Sequence, residues 1–300
     1  SSTKRELMLE WYAMDSKAYH PNPDKPEPKR PSVPVSLLVG KECARLGPEV
    51  SVVIKTYDNS RRAPRGVPSL KELLVETLRI LETQTLLPYE VLVVDSSAGD
   101  GIAEALQQYG PVQAFHLRHI PLVMECFSYC HAMNVGVQEA EGEIVASLSG
   151  DATPANERWL EMLVAPLEDP KVAGAFSRHV ARPGVRMAWA ERLRLWWRYR
   201  SKATIVRQND HVFSNASSAF RRALALEIPF DETIKELEDY TWAGAVQQRG
   251  YGIAYAGASE VYHSHTVSSA KTLWRMAYYV YLRARADAAA VRRREPVQRS

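Results

Sequence analysis

The sequence predicts an α/β fold built on a doubly wound sheet, and three observations carry that reading. Apolar strand-like runs at 49–54 and 90–95 flank an amphipathic helical pattern. A third run at 144–148 follows a second helical stretch. Each run ends in a loop rich in Asp, Asn, Ser or Gly. Strand–helix–strand alternation over about a hundred residues implies parallel strands with right-handed crossovers.

The elements follow in order. Leu7-Met8-Leu9 with Trp11-Tyr12 reads as a helix, and residues 21–34 carry six prolines among Lys and Glu. Proline at that density cannot continue a helix and keeps the chain extended at the surface. Segment 1–48 is therefore expected to be an N-terminal helix and Pro-rich arm. A strand occupies 49–54, and Lys55-Thr56-Tyr57-Asp58-Asn59 forms the loop leaving it. Ser69 with Glu72 makes a capping box, and Leu70, Leu73, Leu74, Leu78 and Leu81 follow at helical spacing. The 90–95 strand runs into Ser96-Ser97-Ala98-Gly99-Asp100. A weaker third strand is expected over 112–117 and a helix over 124–140. Gly150 and Pro154 mark the turn that ends the 144–148 strand.

The chain has 300 residues and a formal charge of +3, enough for one large domain or two small ones around a sizeable core. Residues 186–202 carry +5 and residues 268–300 carry +6, which leaves −8 on the rest. An acidic body with two basic segments points to a local anionic surface and away from a nucleic-acid binder. The cysteines are Cys43, Cys126 and Cys130, and no run of eighteen apolar residues occurs. No disulfide framework is expected, and a reducing, cytoplasmic setting is. Cys126-x3-Cys130-His131 lacks a second ligand pair and reads as two buried thiols, not a zinc site.

Chemistry collects in the loops. Asp95 and Asp151 each close a strand, at the edge where open α/β sheets bind ligands. A carboxylate at Asp95 can accept from the N3–H of a uracil or thymine, or from ribose hydroxyls, and Tyr57 can lie against the base. Asp151 can hold a divalent metal, and the metal a diphosphate. His263 and His265 follow a strand expected at 259–262, and alternation turns both the same way. Metal binding and structural hydrogen bonding both remain open for them, with His263 preferred as a ligand. Trp242 fits sugar stacking or core packing.

Together these residues resemble the family-2 glycosyltransferases of the GT-A fold over about residues 49–267. The resemblance rests on Val52-Val53-Ile54-Lys55-Thr56-Tyr57-Asp58, on Glu90 to Ser97, and on Ala132-Met133-Asn134-Val135-Gly136. Gly142-Glu143-Ile144 and Ser149-Gly150-Asp151 complete it. A narrower likeness is to the bacterial rhamnosyltransferase branch, through Leu148 to Pro154 with Trp159-Leu160, and Phe213 to Ala219. Pro229-Phe230-Asp231-Glu232, Glu238 to Trp242 and Tyr262 to His265 add to it. Two positions depart: Ser149 stands where the family usually has an acid, and Gly150 where the branch usually has Gln. The first change leaves one carboxylate for the metal.

The resemblance implies a mixed sheet with helices on both faces, a nucleotide-sugar half at 49–154, an acceptor half at 155–267 and a basic C-terminal helix at 268–300. It implies inverting transfer from a nucleotide-diphosphate sugar to an acceptor hydroxyl on a glycan or a polyprenyl-linked glycolipid. The favoured donor is dTDP-L-rhamnose, with UDP- and GDP-sugars as alternatives. Asp239 is the expected general base and Glu238 its neighbour, and a helix N-terminus there would favour the ionised carboxylate. Plain helix capping is the competing reading of that pair. Thr56, Tyr57, Asp95, Asn134, Ser149, Gly150 and Asp151 are expected around the nucleotide sugar, and Asn215 and Trp242 around the acceptor. Asp151 and His263 are expected to bind Mg2+ or Mn2+. A catalytically silent nucleotide-sugar-binding subunit is the alternative of a different class. The Arg/Trp/Tyr-rich stretches at 186–200 and 273–283 read as helices for peripheral contact with an anionic membrane, for packing, or for self-association.

Overall fold

The computed structural model describes residues 48–57, 68–97, 99–122, 128–234, 236–263, 265 and 267–294. The predicted N-terminal helix and Pro-rich arm, Cys43, Cys126, Asp58-Asn59 and the first residues of the 124–140 helix lie outside them. Nine strands form one mixed sheet: β1 (Val50–Thr56), β2 (Glu90–Asp95), β3 (His116–Pro121), β4 (Ile144–Ser149), β5 (Thr153–Pro154), β6 (Val172–Val180), β7 (Thr204–Arg207), β8 (Ser217–Arg221) and β9 (Gly252–Tyr262). Their order is β3-β2-β1-β4-β8-β6-β9-β5, with β7 pairing with β9.

The first four strands are parallel, β2 and β3 lying on one side of β1 and β4 on the other. Winding therefore reverses between β1 and β4. Beyond β4 the antiparallel β8 changes the sheet's direction. β1 is buried at every position, and its side chains alternate between two cores. Val50, Val52 and Ile54 pack with α1 (Leu70–Leu81) and α4 (Trp159–Val164). Val53 packs on the opposite face with α3 (Tyr129–Glu139) and with α7 (Glu238–Gln248). Helices thus cover both faces, as expected.

The Ser69–Glu72 box caps α1 in both directions. α3 starts where the Ser128 hydroxyl accepts from His131 N–H at 3.2 Å, and it lies close on β1. A Cβ on Gly136 would stand 2.4 Å from Val53 Cγ1.

The third strand differs from expectation. It runs His116–Pro121 and not 112–117. As an edge strand it is mostly half-exposed, so no apolar run announces it, and a terminal proline is tolerated there. α2 (Gly101–Tyr109) was not anticipated. The strand ending at Tyr262 is also longer than its 259–262 expectation. The two basic aromatic stretches form α5 (Trp189–Tyr199) and, after the short α6 (Arg222–Glu227), α8 (Ser269–Arg294).

Candidate active site

The reversal between β1 and β4 opens a crevice at their carboxyl ends, the position where such sheets take ligands. Gly150 N–H donates to Lys55 O at 2.7 Å, and a Cβ at Gly150 would meet that oxygen at 3.2 Å and Thr56 Cα at 3.3 Å. The close approach pins the turn after β4 and presents Asp151, whose side chain remains 49% accessible.

Asp151 Oδ2 lies 3.5 Å from His263 Nε2. His265 joins them: ligand-type atoms of Asp151, His263 and His265 all lie within 4.8 Å of one another. The two histidines beside it hold the Asp151 carboxyl well below the usual carboxylate range. Burial pushes His265 down to about 3, so its ring is neutral and its lone pair is available. One carboxylate and two imidazoles fit a divalent cation of mixed N/O preference. The sequence favours His263 as the ligand; the structure gathers both histidines beside Asp151.

Groups behind the trio fix it in place. His263 Nδ1 lies 3.2 Å from Nδ1 of the buried His179, whose ring stacks on Tyr199 at 4.4 Å. His265 N–H donates to Glu191 at 3.3 Å. Glu191 accepts two hydrogen bonds from Arg194, at 2.7 and 2.8 Å, while only 1% exposed. Such outer groups orient metal-type histidines. They could not be picked from the sequence, because Glu191 and Arg194 sit in what reads there as a solvated basic helix.

The acid pair stands at the start of α7. Leu237, a buried non-glycine residue in the left-handed region (φ 67°), forms the corner from which α7 starts. Glu238 and Asp239 occupy the first turn. Asp239 accepts from the N–H of Tyr240 at 2.7 Å and from the N–H of Asn215. The helix N-terminus favours the ionised carboxylates, but burial works the other way and raises both carboxyls. Glu238 reaches about 7 through burial and the neighbouring Asp239 charge, and Asp239 also rises, mainly through burial.

Lys55, 3% exposed, is under the electrostatic influence of both Asp151 and the acid pair. Its Nζ donates to Ser147 Oγ and, at 2.9 Å, to Asn215 O. Burial lowers it to about 8, against the opposing pull of Glu238, Asp151 and Asp239. Lys55 lies in the Val52–Asp58 stretch, for which the resemblance implies no role at this position. An inward-pointing lysine at the last buried turn of a strand was the only signal available.

The remaining predicted residues divide. Asp95 is buried at the end of β2, where His119 Nε2 lies 3.2 Å away and Ser97 N–H donates at 2.9 Å. Burial would raise its carboxyl, but those two contacts prevail and hold it low. Tyr57 is 38% exposed at the rim, and Ser149 N–H donates to Ala216 O at 3.0 Å. Thr56 Oγ1, Ser96 Oγ and Asn215 Nδ2 are buried without a hydrogen-bond partner, the condition a bound polar ligand relieves.

Two predicted residues are engaged by the protein itself. The Asn134 amide exchanges hydrogen bonds with Phe230 N–H at 3.0 Å and Phe230 O at 2.8 Å and reaches Glu232 at 2.9 Å. Trp242 takes the core-packing alternative: it is 3% exposed, stacked on Phe213 and Phe230, with Nε1–H donated to Ile228 O at 2.8 Å. Cys130 is buried as expected.

The model of the family described as "Glycosyl transferase family 2" matches residues 51–228, more than half the chain and the whole of this crevice's β1–β4 side. The chain belongs to glycosyl transferase family 2. Among curated proteins, this family-2 chain is 26% identical over 213 residues to glycosyltransferase AglE of Haloferax volcanii, covering 70% of the chain and 64% of that relative's length. Among solved structures it resembles the mannosyltransferase PcManGT of Pyrobaculum calidifontis, in complex with GDP-Man and Mn2+. That match has 23% identity, a TM-score of 0.53, and covers 72% of this chain and 57% of that one. It also resembles TarS 1-349 of S. aureus in complex with UDP-GlcNAc, with 19% identity, a TM-score of 0.53, and 72% and 58% coverage. These likenesses show the fold, a GT-A-type mixed sheet. Among the described residues no helix is long and apolar enough to cross a membrane.

Proposed function

We propose that this chain is a metal-dependent inverting glycosyltransferase that moves a sugar from a nucleotide diphosphate to an acceptor hydroxyl on a glycan or glycolipid. The observation that carries the reading is the buried lysine Lys55, under the electrostatic influence of both the Asp151 carboxylate and the Glu238–Asp239 pair. A donor's diphosphate on the first group and an acceptor on the second are the two requirements of a displacement at an anomeric carbon.

Asp151, His263 and His265 would hold the cation. When bound, a divalent ion neutralises charge on the departing diphosphate as a Lewis acid. Two imidazoles in the set favour Mn2+ over Mg2+, which prefers oxygen and retained water. Asp239 accepts the acceptor's hydroxyl proton as the new glycosidic C–O bond forms. The bond between the anomeric carbon and the diphosphate oxygen breaks, its electron pair leaves with the nucleotide diphosphate, and configuration inverts. Lys55 supports the ionised acids from beneath. Thr56, Tyr57, Ser96 and Asp95 line the nucleotide side, with Asp95 accepting from base or ribose. Asn215 borders the acceptor.

One observation favours a second reading of the base. A carboxyl at about 7 suits general-base work at neutral pH, and that carboxyl is Glu238. Turnover of Asp239→Asn and Glu238→Gln separates them. The base variant loses about 10²–10⁴-fold in turnover while donor-induced thermal stabilisation persists.

The rhamnosyltransferase-like motifs make dTDP-L-rhamnose the first donor to test, beside GDP-mannose and UDP-N-acetylglucosamine. A panel of these donors with Mn2+ or Mg2+, read by thermal shift and donor hydrolysis, tests the proposal. Donor binding without any turnover toward water or acceptor would favour the silent binding subunit instead.

A further inference from the structure

The amphipathic order of α5 is inverted. Its inward face carries Glu191, Arg194 and Arg198 beside buried Leu195 and Tyr199. Its outward face, at helical spacing, carries Trp189, Leu193, Trp196 and Trp197, with Trp189 62%, Trp196 62% and Trp197 68% exposed. Arg192 and Arg200 are exposed on the same side. A surface helix normally does the reverse.

α8 packs against α5, and Ser269 Oγ accepts from Ala190 N–H at 3.5 Å. Its exposed side spans a broad face: Ala270, Leu273, Trp274, Ala277, Val280, Tyr281 and Ala284 run along it, and the exposed Lys271, Arg285 and Asp287 lie at its edges. Two helices in contact each present exposed tryptophan and other apolar residues flanked by arginine or lysine. Single exposed apolar residues are ordinary; a contiguous patch of this kind marks an interaction surface.

Charge identifies the occupant. Leaving out the inward Glu191, Arg194 and Arg198, residues 186–202 carry +4, and residues 269–287 of α8 carry +3. A second copy would bring the same sign against itself, and residues 1–47 of this chain, at +2, offer no complement. Tryptophan and leucine between arginines match the headgroup–acyl boundary of an anionic bilayer, where rings enter and guanidiniums meet lipid phosphates. No helix among the described residues can cross a bilayer, so contact along the plane is the geometry that fits.

We propose that the outer face of α5 and α8 is a docking surface for anionic lipid bilayers. It stands independently of the glycosyl-transfer reading, because it uses none of the crevice residues.

The test is flotation of the full chain with vesicles of phosphatidylglycerol and phosphatidylcholine, against phosphatidylcholine alone, at low and high salt. The expected result is co-flotation with the anionic vesicles, weakened by salt. Exchanging Trp196 and Trp197 together for Ser should lower vesicle affinity about tenfold or more. Arg192→Glu with Arg200→Glu should abolish the preference for anionic lipid. Both variants alter exposed side chains, and an unchanged thermal shift with donor nucleotide reports an intact crevice. Absence of flotation with anionic vesicles at low salt would overturn the proposal, as would flotation of the Trp variant at wild-type affinity. A concentration-dependent dimer by light scattering that the Trp variant dissolves, with no lipid binding, would assign the face to a second copy instead.

Discussion

Replacing Lys55 by Met is expected to stabilise the fold slightly while removing activity. Lys55 is 3% exposed, and burial lowers its ammonium from 10.5 to about 8. A basic group that ionises less readily in the folded chain than in the unfolded one costs stability below its folded value. That cost is fully present below about 8 and fades as pH rises toward 10.5, where both states have lost the proton. At pH 7 it amounts to roughly 3 kcal/mol. Met removes it and fills the space, but gives up the hydrogen bonds to Ser147 Oγ and Asn215 O, worth about 1 kcal/mol each. Ser147 Oγ still donates to Asn215 O at 3.3 Å, so neither is stranded. The net is a gain of about 1 kcal/mol, or a few degrees in Tm. Activity should fall on the order of a hundredfold or more, since the central cation is gone. Urea unfolding of both proteins from pH 7 to 10, with donor turnover at pH 7, reads all of this. The advantage of Met should shrink steadily above pH 8. A variant destabilised by several kcal/mol at pH 7, or a difference flat across that range, would refute the reasoning.

Other expectations follow from the same geometry. Turnover should rise with pH through about 7 as Glu238 ionises beside Asp239, and a pH–rate profile flat from 5 to 8 would remove the pair from the reaction. Single His263→Ala and His265→Ala variants should each weaken Mn2+ retention, measured by calorimetry with nucleotide present, whereas one histidine without effect would reduce the trio to a pair. Trp242→Ala should cost about 3–5 kcal/mol of stability with donor affinity unchanged in the folded fraction; a selective loss of acceptor binding would restore Trp242 to the site.

The donor half was legible because its signals are local. β1, β2 and β4 are buried runs that cannot be mistaken for surface, and α1 carries its own capping box. β3 was misplaced because an edge strand needs no apolar alternation. β6, β8 and β9 are rich in Ala, Ser and Gly, residues whose strand state is set by pairing and close packing, so pattern reading passed over most of them. Asp151, Glu238, Asp239 and His263 could be named from the resemblance, each at a strand end or helix start. Lys55, His179 and Glu191 were not, since a charged residue's burial is decided by distant elements. Trp242 and Asn134 show the converse: chemistry-capable side chains consumed by the core.

The inverted helix α5 has one more consequence. It is 11 residues long and has no slack between its surfaces: the turn that turns Trp196 outward also carries Leu195 inward, and one turn earlier Glu191 grips the backbone of His265. Any tilt imposed from outside is a tilt of the trio's support. Thermodynamic reciprocity then binds the two events: whatever factor lipid contributes to donor affinity, donor must contribute to lipid affinity. Vesicle partitioning measured with and without nucleotide sugar reads that factor directly, and a value of one would mean that the helix rides as a passive wall.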